Sequence, residues 1–574
     1  MEGSSPRGRQ LMFSGYGPLV AFAIFFALMV YVAPTVPGGA LAGQQADPSS
    51  PRAAPDGATG SETGEVSEES AGTGDGPQVG TEGSDPDARA TTDAGGTDEA
   101  DAPSGDAQAD RSRVGEAAGG VQPCADRELQ IPGDPYSPPC VAFEGDNGGA
   151  TTRGVTEDEI ILSARVTDDE GGFQDTLANI AGAEIADSNE DVQRTIEALV
   201  QYFNERFEFY GREMRVEFYE GQGGGLDETM GRGHEEAQAD ALTVAEEIGA
   251  FAELNGGTEP FGDALATNGV IAMGALHFSE EWHVDRRPYT WSGLTECSTV
   301  AQSSADWANV RLRGDTAEYA GDPEFRGRTR TQASVLPENP VYQQCLAAAE
   351  RFAREAGFDP PMSISYTLDI GTMSNQAANI VAQLQNNEIT TVTCSCDPVM
   401  LVFMTSRATE QDYHPEWIVT GTAFSDQDIV GQLMDQEQWS RAFGISYNAA
   451  AQPQEATLGY NAYTQVRDEE PAFAVDSIYY SLYLLAIGIQ GAGPELTPET
   501  FEQGMFDYPG GEGPAGTWGF GPGNYTAPED YREIYWDPDE TSGFNNQQGA
   551  YIETDPGERI RPGEVPDGPP RVPW

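Results

Sequence analysis

Apolar residues change their spacing repeatedly after residue 154, and this alternation constrains the fold more than any other feature. "EIILSARV" (159–166) reads as a buried strand. Within "EDVQRTIEALVQYFNERFEFYG" (190–211), Val192, Ile196, Leu199, Val200 and Phe203 share one helical face, and "REMRVEFYEG" (212–221) returns to strand. A helix near "AQADALTVAEEIG" (237–249) leads to strands at "AFAEL" (250–254), "VIAMGA" (270–275) and "PYTWSG" (288–293). Strands separated by helices pair in parallel, so the expected class is α/β, a doubly wound sheet with helices on both faces. A second run starts near residue 330. The strand "TRTQASVLPE" (329–338) precedes the helix "PVYQQCLAAAERFAREAGF" (340–358), opened by Pro340 and ended near Gly357. Then follow the strand "MSISYTLDI" (362–370), the helix "NQAANIVAQLQNNE" (375–388), the strand "ITTVTCSC" (389–396), a helix from Asp397 and the strand "EWIVTG" (416–421). Two such runs predict two lobes joined by a hinge. Open α/β sheets bind ligands outside the carboxyl ends of their strands, so facing lobes make a cleft.

What precedes residue 154 cannot build a core. Residues 44 to 120 hold hardly a large apolar side chain, and burial there cannot offset the entropy of ordering. A disordered acidic tether is therefore expected over 34–120, ending in a lead-in over 121–150. Gly148, Gly149 and Gly154 supply the turn that releases the chain into its first strand. The two-lobed body is expected over 151–555, with a Pro-rich tail over 556–574. Upstream, "LMFSGYGPLVAFAIFFALMVYVA" (11–33) carries no charge and is long enough to cross a bilayer. Arg7 and Arg9 precede it and no basic residue follows until Arg52. Residues 1–10 are thus expected in the cytoplasm and everything after Ala33 outside. A cleavable signal ending near "ALAG" (40–43) is the rival to an uncleaved anchor.

The formal net charge is -64, from 94 Asp+Glu against 30 Lys+Arg, and every basic residue is arginine. Such a chain repels phosphate backbones, which excludes nucleic-acid binding. An exported chain with six cysteines is expected to form disulfides. Cys124 and Cys140 bracket the lead-in and are expected to pair. Cys394 and Cys396 sit two apart in a strand, near the upper limit for a bond, so each is expected to reach Cys297 or Cys345.

"GVTEDEI" (154–160) at the first strand resembles the start of extracytoplasmic solute-binding proteins of the leucine/isoleucine/valine-binding family, with the type I periplasmic-binding fold. "NPVYQQCLAAAERFAREAG" (339–357) resembles the first helix of that family's second lobe. "AVDSIYYSLYLLAIGIQGAGPELTPETFEQGM" (474–505) resembles its late helix pair. The resemblance covers about residues 150 to 555. It implies a small polar ligand, amino-acid-like or amide-like, delivered to the permease of an ABC importer. A ligand-sensing or scaffolding ectodomain is the alternative.

No enzyme is expected. There is no HExxH, GxSxG or P-loop, and "GQGGG" (221–225) lacks the GK[ST] ending. The histidines His234, His277, His283 and His414 are scattered, so neither a metal site nor a cofactor is expected. Candidate ligand contacts come from loops after strands. Thr258 and the N–H groups of Gly256 and Gly257 suit a ligand carboxylate, and Ala275 and His277 follow the next strand. From the second lobe, Tyr342 is placed to cover a ligand with its ring, and Thr422 follows "EWIVTG". The helix over 474–490 is interrupted by Asp476 and serines and reads as core rather than a membrane span.

Overall fold

The computed structural model describes residues 35–36, 120–168 and 187–574. The expected anchor and nearly all of the expected tether lie outside these residues. Among the described residues no helix is long and apolar enough to cross a membrane.

Lobe one opens at a turn where Gly154 adopts φ +74°, with its missing Cβ facing the Phe251 N at 2.2 Å, so a side chain fits neither the angle nor the space. Strand β1 (Glu159–Asp168) is followed by α1 (Asn189–Asn204), whose N-cap Ser188 accepts from the Asp191 N–H. Next come β2 (Glu213–Glu220), α2 (His234–Leu242), which runs on into a π-helical turn, β3 (Ala252–Glu253), α3 (Glu259–Thr267), β4 (Ile271–Met273) and β5 (Thr290–Trp291). The strands lie in the order β2-β1-β3-β4-β5 and pair in parallel throughout. A two-residue strand, Thr35–Val36, pairs in parallel at the end of β1, so these two residues of the span expected to be tether belong instead to the lobe-one sheet.

Lobe two repeats this plan. Helix α4 (Cys297–Arg311) leads to β6 (Gln332–Pro337), α5 (Pro340–Glu355), β7 (Met362–Tyr366), α6 (Ile370–Asn386), β8 (Thr391–Cys394), α7 (Pro398–Glu410), β9 (Glu416–Val419) and β10 (Phe443–Ser446). The order is β7-β6-β8-β9-β10, again parallel. In both sheets the order reverses beside the first strand, which opens a crevice at the carboxyl ends there.

The lobes are not two uninterrupted runs. After β10 the chain returns to lobe one as α8 (Val475–Ala492) and α9 (Pro498–Phe506), where Leu482, Leu485 and Ile489 join Ile160, Leu162, Leu199 and Phe203 in one core. It then crosses back, and β11 (Arg532–Thr541) and β12 (Gln548–Glu553) extend the second sheet antiparallel. The first and third crossings run side by side: Ser292 bridges Thr526, and the Thr295 Oγ donates to the Pro528 carbonyl at 2.8 Å. The Pro-rich tail packs on lobe two, where Trp574 meets Tyr535 edge-on at 5.4 Å.

Cys124 pairs with Cys140 as expected from the sequence. The other pairing differs. Cys297 is bonded to Cys345, joining the start of α4 to α5, and Cys394 is bonded to Cys396. The strand ends at Cys394, so the chain turns at Ser395 and the two Cα atoms come to 5.0 Å, inside the bonding range that an extended strand would strain. Helix α4 was not foreseen: its serines are indifferent helix formers, and its signal is Glu296, whose carboxylate caps the Ser298 and Thr299 N–H groups.

Candidate functional site

A cavity of about 190 Å³ opens at the carboxyl ends of the second-lobe strands and continues between that sheet and helices α4 and α5. Spacing shows which faces line it. Gln332, Ser334 and Leu336 alternate along β6, with Ser363 from β7 and Thr393 from β8 beside them. The intervening Ala333, Val335, Ile364 and Val392 point to the opposite face and the core. From the helices, Ala301, Ala305 and Ala308 of α4 and Leu346, Ala349 and Ala353 of α5 recur at helical intervals. A polar floor thus faces a roof built largely of alanine, and the small side chains leave the space open.

At the lobe boundary the wall is made from loops and the first turn of α5. Asp397, buried at the N-cap of α7, accepts from the Val399 and Met400 N–H groups at 3.0 Å and from the Tyr366 hydroxyl. Burial raises its pKa above the ordinary carboxylate value. Tyr342 and Thr422 also line the cavity, and the Thr422 hydroxyl lies 2.9 Å from that of Thr420. Lobe one contributes Thr229, Leu276 and His277. The His277 Nδ1 lies 2.7 Å from the Thr295 carbonyl, which can only accept, so Nδ1 carries the proton. Burial lowers the pKa of the ring and keeps it neutral, leaving Nε2 as an acceptor; that atom is buried without a partner.

Gly256, Gly257, Thr258 and Ala275 do not line this cavity. Gly256 is buried so close to Ala272 that an added Cβ would come within 2.7 Å of the Ala272 Cβ. Thr258 stands at the N-cap position of α3 but makes no side-chain capping bond; its hydroxyl donates instead to the Glu228 Oε2 at 2.5 Å. The Glu228 carboxylate in turn grips Arg165 through two bonds of 2.7 and 2.8 Å. Asp240 lies 3.2 Å from the same guanidinium, which stacks over the Phe261 ring at 3.8 Å. A carboxylate of the chain itself therefore takes the Thr258 hydroxyl that was expected to meet a ligand's anionic end. Ala275 is buried against Phe278 and Trp282, and its carbonyl accepts from the Ser292 hydroxyl at 2.5 Å.

The polar floor had a signal in the sequence. Strands of a sheet covered on both faces read as nearly continuous apolar runs, whereas "TQASV", "MSISY" and "TTVTC" alternate polar with apolar residues. That pattern marks a sheet face turned to something other than packed core.

No family model matches the chain, and no curated protein matches it in sequence. It is similar in structure to a solute-binding protein of an ABC transporter from Rhodopseudomonas palustris HaA2 in complex with p-hydroxybenzoic acid, at 10% identity over 71% of this chain and 98% of that one, with a TM-score of 0.49. A leucine-, isoleucine-, valine-, threonine- and alanine-binding protein from Brucella ovis, in a closed conformation, gives 12% identity, 72% and 97% coverage and a TM-score of 0.49. A fatty acid ABC transporter substrate-binding protein from Thermomonospora curvata gives 14%, 72% and 97%, and 0.47.

Proposed function

We propose that the chain is an extracytoplasmic solute-binding protein that captures a small molecule between its lobes and passes it to the permease of an ABC importer. One observation carries this reading: a single cavity is lined by His277 from lobe one and by Tyr342, Asp397 and Thr422 from lobe two, at strand ends beside a reversal of strand order. A ligand touching both sides stabilises the arrangement in which they are close, and binding and release by hinge motion are then the whole chemistry. Residues 11–33 are proposed to anchor the protein with its N-terminus inside.

The test equilibrates the full-length protein with a metabolite extract, followed by mass spectrometry of what it retains. A specifically retained solute is expected, and adding it back should raise the melting temperature by mass action and make the particle more compact in solution scattering. Retention of nothing above the level of a denatured control would refute solute binding.

A further inference from the structure

The cavity is far longer than it is thick. Its lining runs from Gln332 to Pro337 along β6, from Tyr342 to Ala353 along α5 and from Cys297 to Ala308 along α4. At about 3.3 Å per strand residue and about 1.5 Å per helical residue, each of these spans is about 16 Å. An apolar cavity of about 150 Å³ holds benzene, so about 190 Å³ drawn out over that length is a thin slot rather than a chamber. Its two faces differ in chemistry. On the sheet side Ser363, Ser334 and Thr393 stand opposite one another on β7, β6 and β8, a row of hydroxyls with neighbours about 4.8 Å apart. Their side chains find no hydrogen-bond partner among the described residues. Ser334 and Thr393 belong to strands inside the sheet and are nonetheless only half-buried, so it is the cavity that reaches them. On the helix side Ala301, Ala308, Leu346 and Ala349 turn hydrocarbon to the slot, and Glu350, which also lines it, pairs with Arg354 at 2.8 Å.

A compact molecule does not suit a slot of this shape. A flat aromatic ring would lie face-on to the sheet with its hydrogen-bonding groups on its edge, so Ser334 and Thr393 would lose water without gaining a partner, which is costly. An unbranched chain can turn its polar atoms to the sheet and its methylenes to the helices. We infer that the site takes a slender, unbranched chain lying along β6, with hydroxyl, ether or carbonyl oxygens on the edge facing Ser334 and Thr393 and hydrocarbon on the edge facing α4 and α5. This rests on the solute-binding reading and names the ligand class of that same site.

The test is calorimetric titration of the full-length protein in lipid nanodiscs, with empty nanodiscs subtracted, using 1-decanol, triethylene glycol monobutyl ether and 1-adamantanol. The first two are unbranched chains, without and with oxygens along their length, and the third packs the same number of carbons as decanol into a cage. Both chains should bind and the cage should not. Thr393→Val keeps the shape and removes the hydroxyl, so it should weaken the ether about fivefold, the worth of one neutral hydrogen bond, and strengthen 1-decanol by a similar factor, because that hydroxyl is no longer left unpaired. Ala349→Leu, which fills the slot from the helix side, should abolish binding of both chains with the melting temperature maintained. Binding of 1-adamantanol as tight as that of 1-decanol would overturn the inference, as would a Thr393→Val protein in which both chains shift in the same direction or neither shifts. If no probe binds while the extract experiment retains a compact solute, the ligand class is wrong and solute binding stands. If neither experiment gives binding, both fall.

Discussion

The two lobes share one strand order and differ in what fills the crevice that this order creates. In lobe one it is occupied by the chain: Arg165, Glu228, Asp240 and Thr258 bond to one another, and the Glu253 carboxylate accepts from the Ser163 hydroxyl and the Arg165 N–H. In lobe two the corresponding region holds a polar floor, an alanine roof and open volume. Topology thus decides where a crevice forms, and a handful of side chains decide whether it is a site or a buried brace.

The largest effect should come from breaking the brace. Glu228→Ala removes the main partner of a guanidinium with almost no exposure and should cost about 3–5 kcal/mol in urea unfolding. A cost near zero would mean that Asp240 and the Phe261 ring suffice, and that the crevice is less committed than its geometry implies. A steric pair comes next. Gly256→Ala drives a methyl into Ala272 and should cost about 1–3 kcal/mol, whereas Ala349→Leu adds three carbons beside empty space and should be neutral or stabilising by up to about 1 kcal/mol. Equal destabilisation by both would erase the distinction between a full crevice and an open one.

The smallest effects are in the pH dependence, and the two crevices should act in opposite senses. Burial raises the pKa of Glu253, so the folded protein holds that proton after the unfolded chain has released it. Its contribution is complete below the ordinary value of 4.5 and is lost as pH rises through the raised one. His277 is depressed from 6.5, so the unfolded chain binds a proton that the folded state refuses, and stability falls as pH drops below 6.5. Unfolding free energies measured from about pH 4 to 8 should therefore decline less on the alkaline side in Glu253→Gln and less on the acidic side in His277→Phe. Unchanged profiles would show that neither group titrates differently on folding.

Most of the architecture was legible because it rests on periodicity: the strands and helices read from apolar spacing are present and the helix over 474–490 is core, whereas the short helix α3 and strand β10 were not read. What the sequence did not reveal was long-range. Nothing local in Val475–Ala492 says that it completes the sheet containing Ile160 rather than the one beside it. Helix α4, half of the cavity roof, was lost because Ser298, Ser303 and Ser304 weaken its pattern. His277, Tyr342 and Thr422 could be placed near the cavity because they follow strands, whereas Thr258 also follows a strand and faces Glu228. Loop position alone does not distinguish a residue that meets a ligand from one that meets a carboxylate of its own chain.

The return of the chain to lobe one sets the order in which the molecule can be completed. Met273 ends β4, and the helix that covers the same core begins at Val475, roughly 200 residues later. At synthesis rates of about 5–20 residues per second, that gap lasts roughly 10–40 s. Throughout it, the apolar side of β1, β3 and β4 has no helix α8 to cover it, while β6 to β10 emerge consecutively and can pair. Strands β6 to β10 can thus pair before lobe one is closed, whereas β11 and β12 join them only after α8 and α9 have been made, and the half-built lobe one is the stage at which the nascent chain is most exposed to aggregation and proteolysis.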